Sequence, residues 1–391
     1  MGWTTRPSEI RNWAARIARV NQLPQVATAD ILAGRRNGLQ VTTQGERGVD
    51  PFMGTANKVG FAVVGLGGIA QSAVLPAFAK CKKAELVALV SRDKNKAARL
   101  ARQFQARHYY GKEEYAACLA NPQVAAVYVA TPPGEHLEFT VRAAEARKHV
   151  LCEKPLAAEV EQSARMVEAC KRNGVLLMTA YRKYFEPSTI YLRKLIHDGK
   201  LGRIDVIHSA FSERHGPSTP RWLRDARLAG GGPMMDLGVY CVNTSRWLVG
   251  EDPVEASARM WAHDKARYRE VEEGLTFRLQ FASGLVMQGS STYSSAMSSF
   301  IYVQGRKGWV CLSPAFPFEE ERRLSGKING RRLERKFQIV DEFALEIKAF
   351  VDAIQGQGAV TPDGLQGHRD MVILRAIYDS ARKRKPVVIR Y

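Results

Sequence analysis

The 391-residue sequence contains no run of about 18 apolar residues, so no transmembrane helix is predicted. It also lacks an apolar leader. Arg6, Arg11, Arg16, Arg19, Arg35 and Arg36 break up the N-terminal stretch, which points to a cytoplasmic protein, or a periplasmic one only if an export signal is missing from this sequence. Cysteine is sparse: positions 81, 118, 152, 170, 241 and 311 form no Cys-x-x-Cys pair, which argues against a disulfide framework or a metal site and for reduced, mostly buried thiols. Acidic charge is short as well, with 39 Asp and Glu against 58 Lys and Arg, for a net charge of +19. The basic residues spread along the chain and thicken at 322–336 and 382–385, but no helix-turn-helix or RNP-like pattern accompanies them. A specific nucleic-acid partner is therefore not expected. The charge fits a field for an anionic cofactor or substrate, a solubility feature, or nonspecific polyanion binding.

What is present is a globular chain: hydrophobic residues make up 45%, and the length allows two domains with their own cores. The stretch Lys58-Val-Gly-Phe-Ala-Val-Val-Gly65-Leu-Gly67-Gly68-Ile69-Ala70 is an apolar strand-length run ending in a Gly-x-Gly-x-x-Ala turn before a helical segment. This is the pattern of a dinucleotide site. Gly65 allows a tight turn, Gly67 lets backbone approach a pyrophosphate, and Ala70 keeps the helix close to the strand. The anion would rest on the unpaired N–H groups of the helix N-terminus. The next strand, 85–90, ends in Ser91-Arg92-Asp93, with Lys96 one turn on. A hydroxyl, a guanidinium and an ammonium suit a ribose 2′-phosphate, which favours NADP over NAD; Asp93 is the one residue that speaks for NAD.

Further buried-type strands, 125–130, 149–152 and 176–179, end in Thr131-Pro132-Pro133, Glu153-Lys154-Pro155 and Tyr181-Arg182, with helical stretches such as 137–147 and 158–173 between them. Strands alternating with helices predict an α/β architecture with a doubly wound parallel sheet, whose ligands bind at the carboxyl ends of the strands. From 181 the rhythm changes. Strands at 203–211, 254–261, 274–281, 285–292, 300–304 and 308–312 look antiparallel, with hairpin signals at 281–285 and 305–308, and helices at 341–354 and 367–383 close the chain. Three regions result: an arm, 1–57, with an amphipathic helix near 10–20 and then turns; a Rossmann domain, 58–180; and an α+β domain, 181–391.

With these residues in place, the sequence resembles the Gfo/Idh/MocA oxidoreductases, and within them the glucose–fructose oxidoreductase branch. The resemblance runs from about residue 58 to the C-terminus and is carried by the Gly65–Ala70 turn, Glu153-Lys154-Pro155, the segment Ala229–Tyr240 and Val303-Gln-Gly305. It implies a large, open-faced, mostly antiparallel sheet in the second domain whose outer face mediates dimer or tetramer formation. The apolar face near 10–20 wants a surface, so the arm is read as wrapping a partner subunit or covering the adenine end of the cofactor. The resemblance also implies hydride transfer between NADP(H), held tightly in this branch, and a sugar carbon: an aldose going to its lactone, a second sugar being reduced, or both. The site residues follow from the same resemblance. Tyr240 is the general acid/base, Lys154 the positioning and electrostatic group, and Asp236, one helical turn before Tyr240, a partner for sugar hydroxyls. A free phenol titrates near 10, so Tyr240 needs a nearby cation such as Lys154 or Arg182. The cofactor set is Gly65, Gly67, Gly68, Ile69, Ala70, Ser91, Arg92, Lys96, Tyr110, Thr131, Pro132, Pro133, His136, Glu153 and Lys154, with His136 near the nicotinamide or capping a helix. Tyr181, Arg182 and Trp222 are placed on the sugar. Two alternatives stay open: an aldose dehydrogenase or anhydrofructose-type reductase that exchanges free cofactor, and a non-catalytic NADP-binding regulator. An intact Lys154, Asp236 and Tyr240 argue against the regulator.

Overall fold

The computed structural model describes residues 58–391. The arm expected at 1–57, with its amphipathic helix, lies outside the described residues.

Six strands form the first sheet: β1 (Val59–Val64), β2 (Ala84–Ser91), β3 (His108–Gly111), β4 (Ala126–Val129), β5 (His149–Glu153) and β6 (Leu177–Ala180). Their order is β3-β2-β1-β4-β5-β6, and every neighbouring pair is parallel. All six residues of β1 are buried, because a parallel sheet is covered on both faces and its central strands read as unbroken apolar runs. Ala62 and Val64 pack on one side with the helices Tyr115–Ala120, His136–Glu145 and Val160–Arg172. Phe61 and Val63 face the other side, toward the turn at Ala70–Val74 and the helices Leu75–Lys80 and Lys94–Phe104. That second side is completed from far along the chain. Phe343, Ile347 and Phe350, on the helix Glu342–Ile354, pack into the same cluster, and the Phe350 ring lies 6.3 Å from that of Phe61. The C-terminal stretch is thus not confined to the second sheet.

The second sheet holds nine strands: β7 (Ile204–Ser212), β8 (Pro253–Trp261), β9 (Gly274–Phe281), β10 (Val286–Thr292), β11 (Ser298–Gly305), β12 (Gly308–Ser313), β13 (Arg322–Ile328), β14 (Arg331–Phe337) and β15 (Val387–Val388). The order is β14-β13-β12-β11-β7-β10-β9-β8-β15. Only β7 and β10 pair parallel. The turns expected at 281–285 and 305–308 join β9 to β10 and β11 to β12. One pair of strands went unforeseen. The basic stretch 322–336 forms the β13–β14 hairpin, turned at Asn329 and Gly330, whose φ values of 49° and 78° are those of a two-residue turn. On β13 the exposed Arg323, Ser325 and Lys327 alternate with the buried Arg322, Leu324 and Gly326, so every β13 charge but that of Arg322 lies on the solvent face of a half-buried strand. The helix Gly364–Lys383 packs on β8 and also touches Val160–Arg172, tying the two sheets together.

Among the described residues no helix is long and apolar enough to cross a membrane, and no group of three or more metal-ligating side chains gathers. All six cysteines are free thiols, five of them buried.

Candidate active site

A cavity of about 570 Å³ opens at the carboxyl ends of β1, β2, β4 and β5, where the strand order reverses between β1 and β4 and such sheets bind ligands. Gly65 turns the chain with φ of 90°, and a Cβ there would come within 2.6 Å of Ala130 and Thr131 backbone atoms. Gly67 and Gly68 differ: a Cβ at either would meet nothing within 4 Å, so their bare backbone faces open space at the cavity wall. Ala70 is fully buried beneath the turn. A second sign of a missing partner is the Thr131 hydroxyl, which is buried at the cavity edge with no hydrogen bond. At the end of β2, Ser91, Arg92 and Lys96 line the same cavity. Asp93 lines it too; one oxygen of its carboxylate accepts the Lys96 N–H at 2.9 Å as the cap of the helix Lys94–Phe104, and the Ser91 hydroxyl accepts the Asp93 N–H at 3.1 Å. An open glycine backbone, an orphaned hydroxyl and two cations fit a dinucleotide, and Gly65 to Ile69, Thr131, Pro132 and Pro133 line the cavity that would take it.

Lys154, Asp236 and Tyr240 line the same cavity, although Lys154 follows a strand of the first sheet and the other two lie on helical turns between strands of the second. Lys154 follows β5. Its Nζ donates to the Asp236 carbonyl at 2.7 Å and to Asp236 Oδ1 at 3.0 Å, and sits 4.8 Å from the Tyr240 ring centroid. Asp236 lies in a widened turn, Met234–Gly238, that runs into the helix Val239–Val249 carrying Tyr240. This turn is fixed from its N-terminal side by Glu272, whose carboxylate accepts the Gly232 and Met234 N–H groups, each at 3.0 Å, and the Tyr378 hydroxyl at 2.8 Å. Gly231 and Gly232 allow that approach, since a Cβ on them would lie 2.1 Å from the Tyr378 oxygen and 2.2 Å from the Glu272 carbonyl. Asp236 Oδ2 accepts the Tyr293 hydroxyl at 3.1 Å. Burial alone would raise the Asp236 carboxyl, but the Lys154 ammonium outweighs it and holds the group below the usual carboxylate range.

Beneath Tyr240 lies a buried ionic cluster. The Glu342 carboxylate takes Arg182, Arg322 and, at 3.1 and 3.2 Å, the Lys183 ammonium. Arg182 also donates to the Phe316 carbonyl at 2.7 Å and places its guanidinium 5.1 Å from the Tyr240 ring centroid. Burial pulls the Lys183 ammonium down to about 7, against the upward pull of Glu342. On the β5 side, Glu153 lines the cavity and accepts the Tyr128 hydroxyl at 2.9 Å, and burial pushes its carboxyl up.

Three residues expected in the site lie elsewhere. The His136 ring is fully buried, its nitrogens 2.8 Å from the Thr131 carbonyl and 3.1 Å from that of Leu156, so it braces two strand-end loops rather than facing the cavity. Tyr181 turns into the core and points its hydroxyl toward Asp370, because the chain leaves the cavity between Ala180 and Arg182. Tyr110 packs its ring on the hydrophobic core; Lys112, two residues on, lines the cavity instead. Trp222 does line it. Lys112 and Tyr293 escaped the sequence reading. Lys112 follows a strand too short and polar to be seen, and the approach of Tyr293 to Asp236 spans 57 residues with no motif to mark it.

Comparison with known proteins gives the same arrangement a lineage. Residues 59–181 match the model of an oxidoreductase family with an NAD-binding Rossmann fold, and 189–311 match the GFO/IDH/MocA C-terminal domain. A D-xylose 1-dehydrogenase [NADP(+)] of Haloarcula marismortui is 31% identical over 338 residues, 85% of this chain and 94% of that one. A D-xylose 1-dehydrogenase (NADP(+)) 2 of Haloferax volcanii is 30% identical, covering 82% of this chain and 97% of that one. The crystal structure of an aldose-aldose oxidoreductase from Caulobacter crescentus, complexed with glycerol, superposes with a TM-score of 0.81 at 34% identity, covering 85% of this chain and all of that one. The two family models together span more than half of the sequence, and the chain belongs to the Gfo/Idh/MocA oxidoreductase family.

Proposed function

We propose that this chain is an NADP(H)-dependent oxidoreductase acting on a CH–OH carbon of a sugar, oxidising an aldose at C1 to its lactone and, in the reverse sense, reducing a second sugar. One observation carries the reading: a lysine ammonium bonded to a carboxylate and poised over a tyrosine ring, on the wall of a cavity whose far end is a glycine turn open to a pyrophosphate. The names of the Haloarcula and Caulobacter relatives support the substrate class and the choice of NADP. Within the chain, residues 58–180 hold the cofactor and 181–391 the sugar.

When bound, NADP supplies the acceptor or donor of the hydride. The protein's own residues do the rest. Tyr240 moves the hydroxyl proton of the reacting carbon, and the cations of Lys154 and Arg182 face the negative charge that its oxygen carries in one half of the reaction. Two of the three Lys154 N–H groups are spent on Asp236, leaving one for the substrate oxygen. Each Asp236 oxygen accepts one protein hydrogen bond and keeps capacity for a sugar hydroxyl. Arg92 and Lys96 take the 2′-phosphate, beside Asp93, which caps the following helix through one oxygen. Exposed Val254, Met260 and Trp309 on strands of the second sheet support the reading of its outer face as the surface for self-association.

The Haloarcula relative favours a second reading, a simple dehydrogenase exchanging free cofactor. Denaturing the purified protein and weighing any released nucleotide separates the two. Stoichiometric NADP(H) supports a retained cofactor and calls for paired sugars; an empty protein calls for single aldoses with added NADP. No reduced-nicotinamide signal with any aldose or sugar pair, at full cofactor occupancy, would overturn the proposal.

A further inference from the structure

Trp222 is a wall of two cavities. On one side is the candidate active site; on the other lies a cleft of about 510 Å³. The second cleft is lined by four guanidinium groups, Arg221, Arg224, Arg267 and Arg269, and only two carboxylates, Asp225 and Glu270. Both carboxylates are engaged locally. Asp225 accepts the Arg227 and Leu228 N–H groups at 2.9 and 3.0 Å, and Glu270 accepts the Ala226 N–H at 3.3 Å and faces Arg269 at 3.9 Å. Arg267 is fixed by donating to the His215 and Gly216 carbonyls at 2.9 and 2.7 Å, while its Nε is buried without a partner. Arg221 and Arg224 make no hydrogen bond or ion pair among the described residues. Four like charges in one cleft repel each other, and among the described residues only Arg269 faces a carboxylate as a counter-ion.

The cleft also sits close to the reacting centre. The His215 ring, whose backbone carbonyl holds Arg267, stacks 3.7 Å from the Tyr293 ring, and the Tyr293 hydroxyl donates to Asp236. These contacts run from Asp236 through Tyr293 and His215 to Arg267, and Trp222 borders both cavities.

We propose that the second cleft is an anion subsite, and that the substrate carries a phosphate or carboxylate on the part of the sugar remote from the reacting carbon. The planar guanidinium fork matches both groups, and pairs of this kind are the strong charge-assisted hydrogen bonds. The inference rests on the proposed sugar oxidoreductase activity and selects among its substrates.

The test uses full-length protein saturated with NADP, so that the glycine turn is already filled. Glucose, glucose 6-phosphate and glucuronate are compared by calorimetric binding and by kcat/KM, in the wild type and in Arg221→Ala/Arg224→Ala. Neither arginine has a partner to strand, so the variant is expected to fold. At least one anionic sugar is predicted to bind about tenfold or more tightly than glucose, and the double variant should erase that advantage, with turnover of the neutral sugar kept within about twofold. Preference for the 6-phosphate assigns a phosphate, preference for glucuronate a carboxylate. Equal binding of neutral and anionic sugars, unaffected by the substitutions, overturns the subsite while leaving the activity standing. Arginine-dependent binding of an anionic sugar that is never oxidised keeps the subsite and sinks the activity.

Discussion

Lys154→Met removes a charge while keeping most of the apolar stem. In the native site the ammonium makes two hydrogen bonds to Asp236, with side-chain exposures of 13% for Lys154 and 26% for Asp236. Breaking a fully buried pair costs about 3–5 kcal/mol. Asp236 keeps a quarter of its side chain in water and retains the Tyr293 hydroxyl, so the cost here is expected at about 2 kcal/mol, a few degrees in Tm. It should depend on pH. Asp236 is held below its ordinary value, so the pair's stabilisation is complete above the unfolded carboxylate pKa of about 3.9 and is lost as pH falls through the lowered folded value. The gap between wild type and variant should be widest near neutrality and close in acid, beginning earlier in the variant because burial then raises the unpartnered carboxyl. Thermal unfolding by circular dichroism across acid to neutral pH measures it. Turnover should fall by about 10²–10³, the scale of removing one electrostatic contact to the reacting oxygen. A gap that does not change with pH, or turnover within tenfold of wild type, would refute the placement of this lysine.

Other perturbations probe separate parts of the site. Ser91→Asp with Arg92→Ala should weaken NADP about tenfold or more relative to NAD; an unchanged NADP:NAD ratio of kcat/KM would remove both as determinants. Glu346 is buried beside Glu153, and burial holds its carboxyl well above the ordinary value. Its protonated form is favoured by folding, so wild-type stability should fall as pH rises above about 4.3, by at most about 1.4 kcal/mol per pH unit. Urea unfolding should therefore show Glu346→Gln gaining on wild type as pH increases, and a pH-independent difference would contradict this. Tyr293→Phe strands Asp236 Oδ2 at a cost of about 1–2 kcal/mol and should raise the sugar KM about tenfold; an unaltered KM would mean that the hydroxyl does not position Asp236.

The first sheet was legible because a parallel sheet writes itself as apolar strand runs, each ending in a polar cluster, as at Gly65, Thr131 and Glu153. Its third strand was not, because His108–Gly111 is only four residues long and carries two partly exposed tyrosines. In the second sheet, glycine turns announced the 281–285 and 305–308 hairpins. The Asn329-Gly330 turn is an equally clear signal, but the run of charge around it reads as a solvated patch rather than as strands. Nothing local says that the helix Glu342–Ile354 covers the first sheet: its pattern gives an apolar face, not the surface that receives it. In the site, Lys154, Asp236 and Tyr240 came from a family resemblance, and the structure supplies the contacts among them. The misplaced His136 and Tyr181 share a cause. Both lie beside strand ends, where ligands gather, and only tertiary packing turns their side chains inward. Glu272, which pins the Asp236 turn, lies 38 and 40 residues from the N–H groups it accepts, a pairing no sequence pattern marks.

The central claim is that Tyr240 moves the proton. Its ring is held by Phe211, Phe316, Lys154 and Arg182, contacts that Tyr240→Phe preserves. The deciding measurement is single-turnover nicotinamide reduction by an aldose in that variant, alongside its affinities for NADP and sugar. The account predicts a fall of about 10²–10⁴ in rate with both affinities within a few-fold of wild type; a rate near that of the wild type would contradict it.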